Sequence, residues 1–291
     1  MEYRNKVTII GAGMVGSTTA YSLIANDLTE EIALVDVNQT ALRAQVMDLQ
    51  HSVPFSSFTK VKMGSYDDLK DSRVAVITAG AAQKPGESRL DLVKKNSAIM
   101  KKIVPDIFKK NSDIIILMIT NPVDILAYLA IKMFPKKKNQ IIGSGTVLDS
   151  ARFRVALGQR LKVNPNNVHG YIVGEHGDSE VPLWSTVDIG NTPLDEFKKI
   201  SASEKNKIFN SAKNAAYAII KGKQSTYYAI ASGATLIIRS ILYDQQTVLP
   251  VSRLMEGEYG IRDICLSLPA VIGRKGIVHK LKPGISKEEI K

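Results

Sequence analysis

The sequence predicts a doubly wound α/β fold followed by a smaller α+β domain, and three observations carry that prediction. Five short, continuously apolar runs recur through the first half, at residues 7–10, 32–35, 74–78, 114–119 and 140–143. Strands of a parallel sheet are buried on both faces, so they show this unbroken pattern and not the alternation of a half-exposed strand. Between the runs lie helical patterns, at 14–25, 41–51 and 93–109, of the length needed to cross back over a sheet. A glycine-rich turn, Gly11-Ala12-Gly13-Met14-Val15-Gly16, joins the first run directly to the first helical pattern.

Taken in order, the β-α repetition continues to residue 143 and defines a Rossmann-type unit over residues 1–143. The pattern then changes. A helix is expected over 148–161, a strand over 169–172, helices over 204–221 and 225–243, and strands over 247–254 and 263–271. These form a C-terminal α+β domain over 144–291, joined to the first without a flexible linker.

Composition narrows the function classes. The 291 residues carry a formal charge of +11, but basic clusters such as Lys136-Lys137-Lys138 lack interleaved aromatics and any nucleic-acid motif. A lysine-rich surface that attracts small anions is therefore expected, with no nucleic-acid partner. No apolar run approaches the span of a bilayer and no signal segment opens the chain, so a cytoplasmic protein without a membrane anchor is expected. The single Cys265 sits in an apolar run, which fits a reducing compartment, and no metal-ligand spacing occurs.

The glycine turn has a physical logic. Gly11 permits a tight turn, Gly13 a close backbone approach to a pyrophosphate, and Gly16 close contact of helix and sheet. Met14 and Val15 open a helix whose free N–H groups and dipole favour phosphate. Asp36 ends the second strand twenty residues after Gly16, where a carboxylate can hold the adenosine ribose hydroxyls and repel a 2′-phosphate. The cofactor expected is NAD.

Chemistry is expected from strand ends and the second half. His176, in Gly174-Glu175-His176-Gly177-Asp178, is a natural proton partner for a carbonyl/alcohol couple near neutral pH. Asp149 and Arg152 lie three apart and share one helix face. Asp149 could orient the imidazole and Arg152 could grip a carboxylate, although an ordinary intrahelical ion pair has the same spacing. Asn121-Pro122 closes the fourth apolar run and brings an amide to the same sheet edge. Residues 83–89 leave the third run through a Pro-Gly turn, with an amide at Gln83 and a guanidinium at Arg89. That segment reads as a lid over a small monocarboxylate or as plain surface loop.

These segments together resemble the bacterial NAD-dependent L-lactate dehydrogenases of the lactate/malate dehydrogenase family. The matching pieces are Ile10-Gly11-Ala12-Gly13, Ile119-Thr120-Asn121-Pro122-Val123-Asp124, Gly143-Ser144-Gly145-Thr146, Leu148-Asp149-Ser150-Ala151-Arg152-Phe153-Arg154 and Gly174-Glu175-His176-Gly177-Asp178-Ser179. The resemblance implies reversible hydride transfer between NADH and pyruvate, giving lactate as the end step of fermentative glycolysis. It implies His176 as proton donor, Asp149 as its partner, Arg152 as carboxylate clamp and Arg89 as the lid group that polarises the carbonyl. It places Asn121 beside carbonyl and cofactor and Thr226 on the substrate pocket wall.

Gln83 is expected to decide the substrate. The malate branch of the family has arginine there, and a neutral amide leaves a second carboxylate without a counter-ion. The resemblance also implies a homotetramer, with fructose 1,6-bisphosphate as effector held by Arg154 and His169. Two departures stand out: residues 195–207 are shorter than the family pattern, and the sequence ends at Lys291 where a long amphipathic helix is expected. The alternatives are a broader L-2-hydroxyacid dehydrogenase, a malate dehydrogenase, and, from a different class, a dinucleotide-binding protein without turnover. The joint presence of His176, Asp149, Arg152 and Arg89 argues against the last.

Overall fold

A computed structural model describes residues 5–81 and 88–290, the Arg89 side chain excepted. Gln83 therefore lies outside the described residues. The first half contributes β1 (Lys6–Ile10), β2 (Glu31–Val35), β3 (Lys60–Met63), β4 (Val74–Ile77), β5 (Ile115–Met118) and β6 (Ile141–Gly143). They pair in parallel in the order β3-β2-β1-β4-β5-β6, with the order of strand addition reversing between β1 and β4. In such sheets ligands bind outside the carboxyl ends of the strands at that switch point.

Helices α1 (Met14–Ala25), α2 (Gln39–Ser52), α3 (Arg89–Lys110) and α4 (Val123–Met133) cover the two faces of this sheet. One core joins α1 and α2 to the sheet through Leu23, Leu42 and Leu49; the other joins α3 and α4 through Met100, Ile107 and Leu126. The expected runs are the strands, because every residue of β1, β4, β5 and β6 is buried. The strand β3 was not among the expected ones. Its sequence, Lys60-Val61-Lys62-Met63, alternates as befits a sheet edge, and Lys62 pairs with Glu31 and Asp68.

The second half begins with α5 (Val147–Leu161), then β7 (Val168–His169), β8 (Ile172–Val173), β9 (Val181–Pro182), β10 (Asp188–Ile189) and β11 (Thr192–Pro193). There follow α6 (Leu194–Phe197), α7 (Ala202–Lys223), α8 (Tyr228–Leu242), β12 (Thr247–Glu256), β13 (Arg262–Gly273), β14 (Gly276–Lys280) and α9 (Lys287–Ile290). Where one strand over 169–172 was expected, β7 and β8 belong to different small sheets. The chain leaves β7 at Gly170, packed so closely on Phe153 that a Cβ there would sit 3.0 Å from the ring. Strand β12 joins β6 at Ser252↔Gly143, so β12, β13 and β14 extend the parallel sheet into a nine-stranded mixed one.

Two contacts fix the halves against each other. Helix α8 lies on α1, with a 2.9 Å hydrogen bond between Thr235 Oγ1 and Ser22 Oγ, and its buried face shares the core of α1. Helix α5 starts immediately after β6, which carries Asp149 to the carboxyl edge of the parallel strands. No described helix is long and apolar enough to cross a membrane.

Candidate active site

The glycine turn is built around close approach. Gly11 has φ +110°, and a Cβ on it would lie 2.5 Å from Ala79 N. A Cβ on Gly16 would lie 1.9 Å from Gly11 O, so helix and turn meet only because both residues lack one. Thr78 Oγ1 donates to Gly11 O at 2.8 Å and holds the turn against β4. Gly13 is different: space around its missing Cβ is open. It stands as N-cap of α1 with no side-chain cap, so the first N–H groups of the helix are left for a ligand.

Asp36 closes the other side. Its Oδ2 accepts from Ala12 N at 2.7 Å and its Oδ1 from Asn38 N at 2.9 Å, which ties the end of β2 to the turn. The half-buried carboxylate keeps lone pairs for a further donor, such as a ribose hydroxyl. A cavity of about 600 Å³ runs from Gly13 and Gly16 past Thr78 and Asn121 to Thr226. Cradle, open N-terminus and carboxylate together fit a dinucleotide.

At its far end that cavity reaches Arg152 and His176, which also border a second cavity of about 440 Å³. His176 sits in the loop between β8 and β9, whose ends are pinned by Val173↔Val181 pairing. Its Nδ1 lies 2.6 Å from Asp149 Oδ2, while Arg152 donates from NH1 to Asp149 Oδ1 at 2.9 Å. Asp149 thus carries both the i,i+3 ion pair with Arg152 and the contact with the imidazole, where an ordinary surface pair would stop at the first. Its burial makes the difference, since only 6% of the side chain is exposed.

Burial works against charge on His176, but the hydrogen bond and charge of Asp149, with Asp124 and Glu180, outweigh it. The imidazole is therefore held protonated above its ordinary range. With Nδ1 taken by Asp149, Nε2 is the nitrogen left for the cavity.

Three residues given no role in the sequence reading complete the site. Asp124, buried in the first turn of α4, accepts from the backbone N–H of His176 at 2.8 Å, and burial pushes its carboxyl up. Asn96, on the inward face of α3, accepts from Ala81 N at 2.8 Å and donates to Asn121 O at 2.7 Å. It binds together the ends of β4 and β5, and a buried amide amid Met100 and Val104 was the available signal. Glu180 is buried beside the second cavity.

Other expected residues lie where their elements place them. Asn121 is exposed to both cavities and its peptide bond to Pro122 is cis. Thr226 lies just before α8 on the nucleotide cavity. Arg154 and His169 are elsewhere: Arg154 Nε donates to Gly170 O at 3.1 Å and the guanidinium rests on the Tyr171 ring. His169 is exposed beside a groove of about 300 Å³ that also meets Lys282.

Two family models match, the NAD-binding domain of lactate/malate dehydrogenase over residues 5–143 and its alpha/beta C-terminal domain over residues 146–291. The chain belongs to the lactate/malate dehydrogenase family. NAD is accordingly the cofactor of its first half. Among relatives, the L-lactate dehydrogenase of Acetivibrio thermocellus is 47% identical over 293 residues, covering 98% of this chain and 92% of that protein. The L-lactate dehydrogenase of a Thermoanaerobacter species is 46% identical, covering 98% of this chain and 94% of its own. Among solved structures, the minor L-lactate dehydrogenase of Enterococcus mundtii superposes with a TM-score of 0.96 at 37% identity, covering 99% of this chain and 94% of that one. This dehydrogenase thus shares its two-domain frame with that enzyme.

Proposed function

We propose that the protein is an NAD-dependent L-lactate dehydrogenase that interconverts pyruvate and (S)-lactate. One observation carries the reading: the Asp149–His176 pair and Arg152 stand on one wall of a cavity that opens into the dinucleotide cavity. The bound dinucleotide supplies the hydride. His176, as imidazolium, donates from Nε2 to the pyruvate carbonyl oxygen and takes the proton back in the reverse direction. Asp149 stabilises the charged ring and fixes its tautomer. Arg152 spends one N–H on Asp149 and keeps the rest of its fork for the substrate carboxylate.

By the family resemblance, Arg89 polarises the carbonyl and Gln83 withholds a counter-ion from dicarboxylates; both act from the lid. Asn121 bonds near the carbonyl and Thr226 lines the wall. Gly11, Gly13, Met14, Val15 and Gly16 receive the pyrophosphate, and Asp36 selects NAD over its 2′-phosphorylated form by charge repulsion. The division of labour falls at residues 143/144, nucleotide first and substrate second. We further infer a cytoplasmic homotetramer activated by fructose 1,6-bisphosphate, with Arg154 and His169 as its anion contacts. The support is their proximity through Gly170 and the neighbouring groove with Lys282.

The test is NADH oxidation with pyruvate, oxaloacetate and 2-ketoisocaproate, each with and without the bisphosphate. Pyruvate is expected to give the highest kcat/KM. Preference for oxaloacetate or the branched acid would replace the substrate assignment, and an unchanged half-saturation for pyruvate would remove the effector.

A further inference from the structure

One acidic side chain in the substrate cavity has no task in that mechanism. Glu180 occupies the same loop as His176, at its opposite end, where the turn closes through Glu180 N donating to Gly177 O at 3.4 Å. The residue is 7% exposed, and its Oε1 is buried without a hydrogen-bond partner among the described residues. It borders the 440 Å³ cavity together with Asp149, Arg152, His176 and Lys213. A buried carboxylate oxygen left unpaired is costly, and such groups persist where their charge serves a site.

We propose that Glu180 is a positioning residue for this reaction, its carboxylate holding the proton on His176 across the cavity. The inference rests on the reading of His176 as proton donor. The charged and titratable groups around the imidazole explain why a second carboxylate matters. From α5 come Asp149 and Arg152; from α4, Asp124 and Tyr128; from α7, Lys213 and Tyr217; from the loop itself, Glu175 and Asp178. Asp263 and Cys265 of β13 line a separate cavity of about 740 Å³ that also meets His176. Asp149 is already shared with Arg152, and Lys213 Nζ is bonded to Asp178 O at 2.5 Å. Burial, then repulsion from Asp149, pushes the Glu180 carboxyl up to about 7. Its charge therefore develops across neutrality, over the range in which an ordinary imidazole would shed its proton. As pH rises, ionising Glu180 keeps His176 in the donor form.

The test is the pH profile of pyruvate reduction for Glu180→Gln and Glu180→Asp in the full-length protein. Loss of the carboxylate is expected to move the alkaline limb of kcat/KM down by about half to one pH unit, a three- to tenfold loss on that limb. Activity on the acid side stays within twofold, and Glu180→Asp restores the limb. A superimposable profile, or an equal loss at every pH, overturns the proposal. Absence of pyruvate-dependent NADH oxidation in the unaltered protein overturns the functional reading instead. Ring-proton NMR of His176, one of four histidines, then still reads the inference. Its titration midpoint falls in Glu180→Gln if Glu180 holds the proton, and does not move if it does not. Should that variant fail to fold, the His176 titration of the unaltered protein decides: a second inflection near the Glu180 transition supports the proposal and a single one overturns it.

Discussion

Replacing Asp149 by asparagine probes the site most directly, because the structure fixes which way the new amide must face. Asp149 Oδ1 receives Arg152 NH1 and Oδ2 receives His176 Nδ1. Asparagine has one oxygen, and the guanidinium, permanently charged, claims it. The amide NH₂ then points at Nδ1, which suits a ring lacking a proton there and opposes an imidazolium. Two losses combine. A hydrogen bond to a charged group contributes about 1.5–3 kcal/mol, and facing two donors in a buried site costs about 1–3 kcal/mol more. At about 1.4 kcal/mol per factor of ten, kcat/KM for pyruvate falls by roughly sixtyfold to twenty-thousandfold at neutral pH. The alkaline limb also moves down, since the raised His176 pKa depends on Asp149. Folding follows the same sign: the stabilisation from the paired imidazole is complete below about pH 6.5 and is lost as pH rises through the elevated value. Steady-state kinetics at several pH values, with NADH affinity measured separately by fluorescence, check this. A loss under tenfold with an unmoved limb would refute the assigned role of the pair.

Three further outcomes are expected. Gln83→Arg should raise the oxaloacetate/pyruvate ratio of kcat/KM by at least tenfold, because it supplies the missing counter-ion; an unchanged ratio removes Gln83 from substrate choice. Gly16→Ala should weaken NADH binding at least tenfold and lower the melting temperature, since its Cβ would collide with Gly11 O; wild-type affinity by titration calorimetry contradicts the cradle. Asn96→Ala should destabilise by about 1–3 kcal/mol in urea by orphaning the Ala81 N–H. Through the loosened Asn121 it should raise KM for pyruvate more than for NADH, and equal effects would count against a link to the substrate side.

Legibility in the sequence tracked how each residue gains its role. The parallel strands were readable because burial on both faces leaves runs such as Ile114–Ile119 unbroken. Strand β3 was not, because its sequence is half lysine and Lys62 finds its partners, Glu31 and Asp68, only in the folded sheet. His176, Asp149 and Arg152 are announced by motif and spacing, and the fold adds the distances. Asp124, Asn96 and Glu180 act through burial and through contacts 15 to 52 positions away. Local pattern holds no trace of those, and Gln83 lies outside the described residues.

The imidazole is fastened from two directions: its ring to Asp149 in the second half, its backbone to Asp124 in the first. Anyone recombining halves from two relatives at the junction near residue 144 therefore inherits a constraint that no strand boundary reveals. A hybrid retains its proton donor only when the acidic residue opening α4 and the loop after β8 are transferred as a matched set. Crossovers that split them give folded proteins with a misaimed ring, so libraries built on domain borders alone will undercount active members.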